Sequence, residues 1–439
     1  MSPQLVFLTL FLGLISGRND VDLQAGPEIK SIRLLLDGRQ VAEMKQPPWR
    51  TNVDLGRLIL PGELVAAGYD AQGNEVARVA QTLNLPRPPA EFVIALQNDD
   101  QGTPVSATLR WEHLIGAKPV RSSLTVDGKP VRLDRSTSAR LPRLDMSHPH
   151  VIAAEMTFDD GFSTRRELSF GGAVSYTADT QLTPIGVRQP GTKAPADAGD
   201  CFTSSGSPVR VAAIENGPAL VIVVLDPDPR EPILALGPRR NPGAFQGGSV
   251  AARHLIPLDR GSRMRILWPT AKEYRTTHNA PAQIFPPSKD VDAEEGGLVW
   301  LLTRRDPEES DKFEKRRVAD AVGVAGLSAI TGAYRRAVVL VLNHVDDRSI
   351  HGGASVRNYL ASIGVPLFVW SFTGPRPELD DTWGHIEDVS SIAQLKTAAD
   401  RLRAELASQR VAWVAVDPVA ALRVQPTGRC GITPMAAAR

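Results

Sequence analysis

Between Ala219 and Arg230 the chain reads A-L-V-I-V-V-L-D-P-D-P-R. An unbroken run of leucine and β-branched residues leaves no polar face. It predicts a strand buried on both sides, the central kind in a parallel sheet. The run stops at an aspartate and two prolines. In open α/β sheets ligands are met outside the carboxyl ends of the strands, so Asp226 and Asp228 stand where a ligand or metal ion would be bound.

The residues after this strand continue the pattern. Apolar runs predict strands at 209–214, 263–268, 283–285, 337–342, 366–372 and 411–416. Helical spacing predicts helices at 249–258, 293–303, 313–330, 354–363 and 391–406. It is clearest where Val318, Ala321, Val322, Ala325 and Ala329 fall on one face. Strands alternating with helices imply a parallel sheet covered on both faces, a doubly wound α/β domain over 208–425 followed by a tail, 426–439.

The N-terminal half has no helical period. Within 28–86, the strand 32–36, the turn Asp37-Gly38 and the strand 41–44 form a hairpin signal, since Asp-Gly accepts positive φ. Strands at 52–55, 64–69 and 76–83 follow. The plan recurs over 89–172. Leu124-Thr-Val-Asp127-Gly128-Lys-Pro-Val131 echoes Leu34-Leu-Leu-Asp37-Gly38-Arg-Gln-Val41, and 151–161 echoes 64–70 at the same spacing. Matching turns at equal spacing predict a duplicated module, with limits 21–87 and 88–172. Each copy has the size of a small β-sandwich and resembles a bacterial immunoglobulin-like domain, without the cysteine pair of antibody domains. Trp49 and Trp111 read as core packing. The Gly- and Pro-rich 173–207 reads as a linker with short strands.

Composition narrows the function classes. The 439 residues are 42% hydrophobic and 23% charged with a formal net charge of +1, which describes a globular chain and not an electrostatic nucleic-acid binder. The apolar 5–15 is too short to span a bilayer. It reads as the core of a secretory signal, giving a signal segment over 1–20, or else as the product of a misplaced start codon or an ordinary first strand. No other segment is a membrane span. The two cysteines, Cys201 and Cys430, bracket the C-terminal half and read either as a disulfide that joins its ends or as two free thiols.

Residues 208–425 resemble a von Willebrand factor type A (VWFA) domain, more closely the bacterial VWFA-related group. The resemblance is carried by Ala219-Leu-Val-Ile-Val-Val-Leu-Asp226, the helix before Arg336-Ala-Val-Val-Leu-Val-Leu342, the acidic loop 343–349, Val365-Pro-Leu-Phe-Val-Trp370, and Val389-Ser-Ser-Ile-Ala-Gln-Leu before a long helix. It implies a divalent-cation site built from Asp-x-Ser-x-Ser after the first central strand, a threonine, and a late aspartate. Oxygen ligands of this kind suit Mg²⁺. Asp226 matches the first aspartate and Asn343 takes the late position. Asp228 and Arg230 replace the two serines. An arginine has five donors and no acceptor, so it repels a cation or pairs with Asp226 or Asp228. The resemblance therefore implies a degenerate metal site and no cofactor.

The loop His344-Val-Asp346-Asp347-Arg-Ser-Ile-His351 offers a second constellation. Two carboxylates and two histidines suit a transition metal or a binding face, whereas Asp-Asp-Arg-Ser before a helix is also what turn and N-cap chemistry selects. The charge run 304–317 reads as a solvated loop and the start of a helix. Arg239-Arg240 is a basic pair that suits an acidic partner or simply belongs to the surface. No nucleophile motif or P-loop is present. The reading is a secreted or periplasmic protein, not an enzyme, that acts as a scaffold by binding an unidentified protein. Its rivals are a Mg²⁺-dependent adhesion domain and a metal-dependent hydrolase using Asp226, His344, Asp346 and His351.

Overall fold

The computed structural model describes residues 5–99, 103–114, 116–148, 150–170, 182–189, 201–204, 206–225, 261–269, 272–274, 282–284, 291–292, 302, 316–342, 347–416 and 418–435. The chain divides into two compact units. The first comprises 1–179 with 273–283, and the second 180–272 with 284–439. Among the described residues, no helix is long and apolar enough to cross a membrane.

The first unit holds two immunoglobulin-like sandwiches. In the first, Leu5–Phe7, Arg18–Ala25 and Arg50–Asp54 form one sheet, and Arg39–Met44, Ser31–Leu36, Gly62–Tyr69 and Glu75–Leu83 form the other. In the second, Ala90–Asn98, Pro104–His113 and Ser138–Arg140 face Lys129–Val131, Pro119–Val126, His150–Phe158 and Ser163–Phe170. Counted from one within each sandwich, the strand orders are 1-2-5 and 4-3-6-7 in both copies. The duplication extends to single atoms. Asp37 and Asp127 both sit at positive φ ahead of a glycine. Asp37 Oδ1 accepts the Glu63 N–H at 3.0 Å and Asp127 Oδ1 accepts the Val151 N–H at 2.9 Å, so each turn is pinned to the sixth strand of its sandwich. Trp111 stands edge-on to Phe158 in the second core, and Trp49 packs against the first.

Residues 5–15 are built into the first sandwich. Leu5–Phe7 pairs with Leu23–Ala25, and Leu5, Phe7 and Phe11 are buried in the first core, so that sandwich starts well before residue 21.

In the second unit, the strand Ala219–Leu225 is buried at every position. It pairs in parallel with Arg263–Leu267 on one side and Arg335–Val341 on the other. Leu367–Ser371 and Ile386–Asp388 extend the sheet in parallel, and Val291–Asp292 closes the far edge antiparallel. Counting only this sheet's strands in chain order, the spatial order is 3-2-1-4-5-6. Val221, Val223, Leu225, Val339 and Val341 share a core with Leu395, Leu402 and Leu406 of the helix Ile392–Ser408. The alternate residues Leu220, Ile222, Val224, Val338 and Leu340 are equally buried. The helix Val318–Ala329 packs on these two strands and on the helix Gly353–Ser362. A Cβ on Gly326 would lie 2.6 Å from Leu360 Cδ1, so the two helices meet where one has no side chain.

The strand predicted at 411–416 is found at Gln409–Val414, but in a different sheet. It pairs antiparallel with Thr183–Arg188 and Val211–Glu215, and Thr433–Pro434 completes the four strands. A smaller sheet joins Phe202–Ser204 to Ser207–Pro208 and Val424–Pro426. The expected linker and tail are thus the two sides of one structure with its own core, around Val187, Phe202, Val209, Val414 and Val424. Cys201 and Cys430 are disulfide-bonded within it, with Cα atoms 5.5 Å apart across 229 residues of sequence. The helices predicted at 249–258 and 293–303 lie outside the described residues, apart from the buried, helical Leu302.

Closing so long a loop restricts the unfolded chain, and the chain-entropy relation gives about 5 kcal/mol for it. Replacing both cysteines by serine is expected to lower the urea midpoint of the second unit's transition by a corresponding amount. The same shift is expected when the native chain is unfolded in reductant.

Candidate functional site

The order of the parallel sheet reverses between Ala219–Leu225 and Arg335–Val341, where Leu225 lies opposite Val341. A crevice at the carboxyl ends of two such strands is the usual ligand site of this topology. The residues that follow them, Asp226, Asp228, Arg230, Asn343, His344 and Asp346, lie outside the described residues, as do Arg239 and Arg240. Asp347 and His351 are described, and with the start of the helix Val318–Ala329 they form a polar cluster beside this edge.

A helix leaves its first N–H groups without intrahelical partners. This one has Arg317 at its N-cap, which supplies no side-chain cap. Asp347 caps it from a distance. Its Oδ1 accepts the Val318 N–H at 2.9 Å and its Oδ2 the Ala319 N–H at 3.0 Å. Ser349 Oγ accepts the Asp320 N–H at 3.0 Å, and the Arg317 N–H donates to the Pro269 carbonyl. Every N–H from Arg317 to Asp320 is therefore satisfied, and the carboxylate sits at the positive end of the helix dipole. Ser349 also donates its N–H and hydroxyl to Asp347 Oδ1, which closes the loop on itself.

The helix returns the interaction. Asp320, only 5% exposed, accepts the Ile350 N–H on Oδ2 at 2.9 Å and the His351 N–H on Oδ1 at 3.1 Å. His351 Nδ1 lies 2.8 Å from Oδ1, and Arg317 Nε donates to Oδ2 at 2.7 Å. Burial pushes the Asp320 carboxyl upward. The hydrogen bonds from His351 and Ile350 and the charge of Arg317 outweigh it, leaving the group below the usual carboxylate range. The bond at Nδ1 assigns the proton there in the neutral ring and leaves Nε2 as its acceptor.

These placements revise the sequence reading of the loop. Asp347 and His351 each have a separate partner. One carboxylate is taken up by helix N–H groups, and the imidazole is held by a residue from the preceding helix. Among the described residues no group of three or more His, Cys, Asp or Glu side chains could hold a metal ion. Cap chemistry operates, but on the helix before the loop and not on Gly353–Ser362, which has no side-chain cap. At the end of the charge run, where a helix start was expected, Arg316 and Arg317 are buried, and Arg317 pairs with Asp320 in the helix's first turn. Asp320 and Arg317 were the functional side chains not singled out. An acidic residue at the third helical position was the available signal. The loop so fixed presents Ile350, 73% exposed, beside the exposed Arg348.

Asp320→Asn removes the charge that holds Arg317 and is expected to cost about 3–5 kcal/mol in urea unfolding at neutral pH, the range for breaking a buried pair. Asp347→Ala is expected to cost about 0.5–2 kcal/mol, the range for a lost cap. Since folding lowers the Asp320 pKa, its contribution is complete above the unfolded carboxyl value of about 3.9 and disappears as pH falls through the folded value. Unfolding curves of Asp320→Asn taken down that acid range should accordingly lose part of the parent's pH dependence.

No family model matches this chain, and no curated protein matches it. Among solved structures it is similar to the fibronectin(III)-like modules of Clostridium thermocellum CbhA at 10% identity, covering 40% of this chain and all 100% of that one, with a TM-score of 0.16. The central fibronectin-III array of RIM-binding protein matches at 10% identity over 47% of this chain and 78% of that one, with a TM-score of 0.17. A beta-glycosidase from Bacteroides vulgatus matches at 12% identity over 39% of this chain and 25% of that one, with a TM-score of 0.19. Likenesses this low carry no argument about activity, and the sandwich assignment rests on the strand orders above.

Proposed function

We propose that this protein is an extracytoplasmic scaffold that binds another protein through a doubly wound, VWFA-like domain whose metal site is degenerate. The observation that carries the reading is the sheet order 3-2-1-4-5-6 with an antiparallel third strand, which makes the ends of Ala219–Leu225 and Arg335–Val341 neighbours. Those ends lead into Asp226 and Asn343, the two positions that match the metal-binding pattern. Arg230 in place of a ligand serine supports loss of the ion. The disulfide supports an oxidising compartment. The loop Asp347–His351 serves as part of the binding face. Its backbone is pre-ordered by hydrogen bonds to the helix, so a partner meeting Arg348 and Ile350 orders little chain on binding.

Calorimetric titration of Mg²⁺, Mn²⁺ and Zn²⁺ into the full chain is expected to give no saturable heat. Binding that disappears in Asp226→Ala would replace this reading with metal-dependent adhesion. A photo-crosslinking side chain at Ile350, introduced in the producing cell, is expected to yield discrete protein adducts that the same group at Gln40 does not. Equal labelling from both positions would remove the loop from the binding face.

A further inference from the structure

The two sandwiches are joined by residues 84–89, Asn-Leu-Pro-Arg-Pro-Pro. Modules in tandem usually move relative to one another unless their interface is large and apolar. Here the junction contains a nearly buried ion pair. Arg87 and Glu91 have side chains 12% and 8% exposed. Arg87 Nε donates to Glu91 Oε1 at 2.9 Å, and a second guanidinium nitrogen donates to Oε2, a two-point geometry that fixes angle as well as distance.

Each partner is also tied to one sandwich. On the first, Arg87 NH1 donates to the Phe11 carbonyl at 2.9 Å and to Gln81 Oε1 at 3.2 Å. On the second, Glu91 opens the strand Ala90–Asn98 and lies 3.6 Å from Arg166 of the strand Ser163–Phe170. Residues 9–15 are held in the same network. Gln81 accepts the Phe11 N–H and donates to the Thr9 carbonyl, while Asn84 accepts the Ile15 N–H at 2.7 Å and donates to the Ile15 and Leu60 carbonyls. A direct bridge runs beside it, from Gln24 Nε2 to the Leu96 carbonyl at 2.6 Å.

We propose that Arg87 is a lock that makes the two sandwiches one rigid body, and that the segment around Phe11 is part of the lock. The pair offers no looser state of similar energy. Separating the modules takes the guanidinium either from both oxygens of the Glu91 carboxylate or from the Phe11 carbonyl and Gln81, and the first of these strands a nearly buried charge. Prolines at 86, 88 and 89 stiffen the connection but fix no angle between the modules. The protein so built carries a spacer of fixed geometry, where a flexible tether would be the default.

The test uses the full chain with nitroxide labels at Gln40→Cys and Lys129→Cys, exposed positions in the first and second sandwich. The native cysteines are bonded to each other and do not react. Pulsed dipolar spectroscopy is expected to give one narrow distance population in the parent. Arg87→Ala should widen it about twofold or more, the behaviour of freely hinged modules. Glu91→Gln, which keeps the side chain's size, should widen it in the same direction. Arg78→Ala, which removes an exposed pair on the first sandwich, should leave the width unchanged. A broad parent distribution would overturn the proposal. So would an unchanged width in Arg87→Ala with far-ultraviolet dichroism and urea unfolding intact. If Arg87→Ala does not fold, the width in Glu91→Gln decides.

Discussion

The second unit depends on one strand that has no surface. All residues of Ala219–Leu225 are buried, so both faces and both edges must be covered by other parts of the chain. Parallel neighbours satisfy the edges, and each needs a crossover of a dozen residues or more. A crossover supplies the helix Val318–Ala329, which packs on the strand itself, and the helix Ile392–Ser408, which follows the sheet's last strand, shares the core of its odd-numbered residues. Burial of one apolar run thereby dictates the sheet, the helices and the position of the carboxyl edge. The side chains at that edge inherit a placement that no local preference of theirs would produce.

What the apolar run leaves undone is the satisfaction of backbone polar groups, and the same device recurs throughout the molecule. A short polar side chain reaches a stretch of backbone remote in sequence. Asp37 and Asp127 pin turns to later strands. Asp347 and Ser349 cap a helix that begins 29 residues earlier, and Asp320 holds the loop in return. Gln81 and Asn84 hold backbone about 70 positions away. Each case fixes two segments against each other, and where the group is buried, as at the Phe11 N–H, it also removes the cost of leaving it unpaired, roughly 1–3 kcal/mol. The exposed Ile350 is carried on a segment fixed in this way.

This explains what was legible in the sequence. The sandwiches could be read because Asp-Gly turns and alternating strands are local signals, and because the plan occurs twice. The central strand could be read because an apolar run bounded by prolines has few alternatives. The second antiparallel sheet could not. Thr183–Arg188 pairs with Gln409–Val414 across more than 200 residues, and neither strand carries a mark of the other. A strand after a long helix was assigned to the parallel sheet because alternation is the only rule available at that range. In the loop containing Asp347 and His351 the polar residues are evident in the sequence, but their partners, the N–H groups and Asp320 of a helix about 30 residues earlier, are not. Helical spacing that begins at 313 puts Asp320 in mid-helix, where an acidic residue signals nothing, whereas the helix begins at Val318.

The two edges of the parallel sheet are treated differently. At the amino edge, Arg335 donates to the Gly217 and Leu406 carbonyls, and Arg336 Nε donates to the Gly364 carbonyl. Gln409, in the antiparallel sheet, accepts the Arg336 N–H at 2.7 Å and donates to its carbonyl at 3.1 Å. Burial lowers the Arg336 guanidinium to about 10, which leaves it charged at neutral pH. A Cβ on Gly186 would stand 2.9 Å from that guanidinium, so the second sheet comes close there because glycine permits it. Burying charge to join two sheets makes sense where no ligand has to enter. At the carboxyl edge the polar groups lie in loops and helix starts. There Asp347 and Asp320 hold the loop and the helix start to each other, so these two polar groups also belong to what holds the domain together.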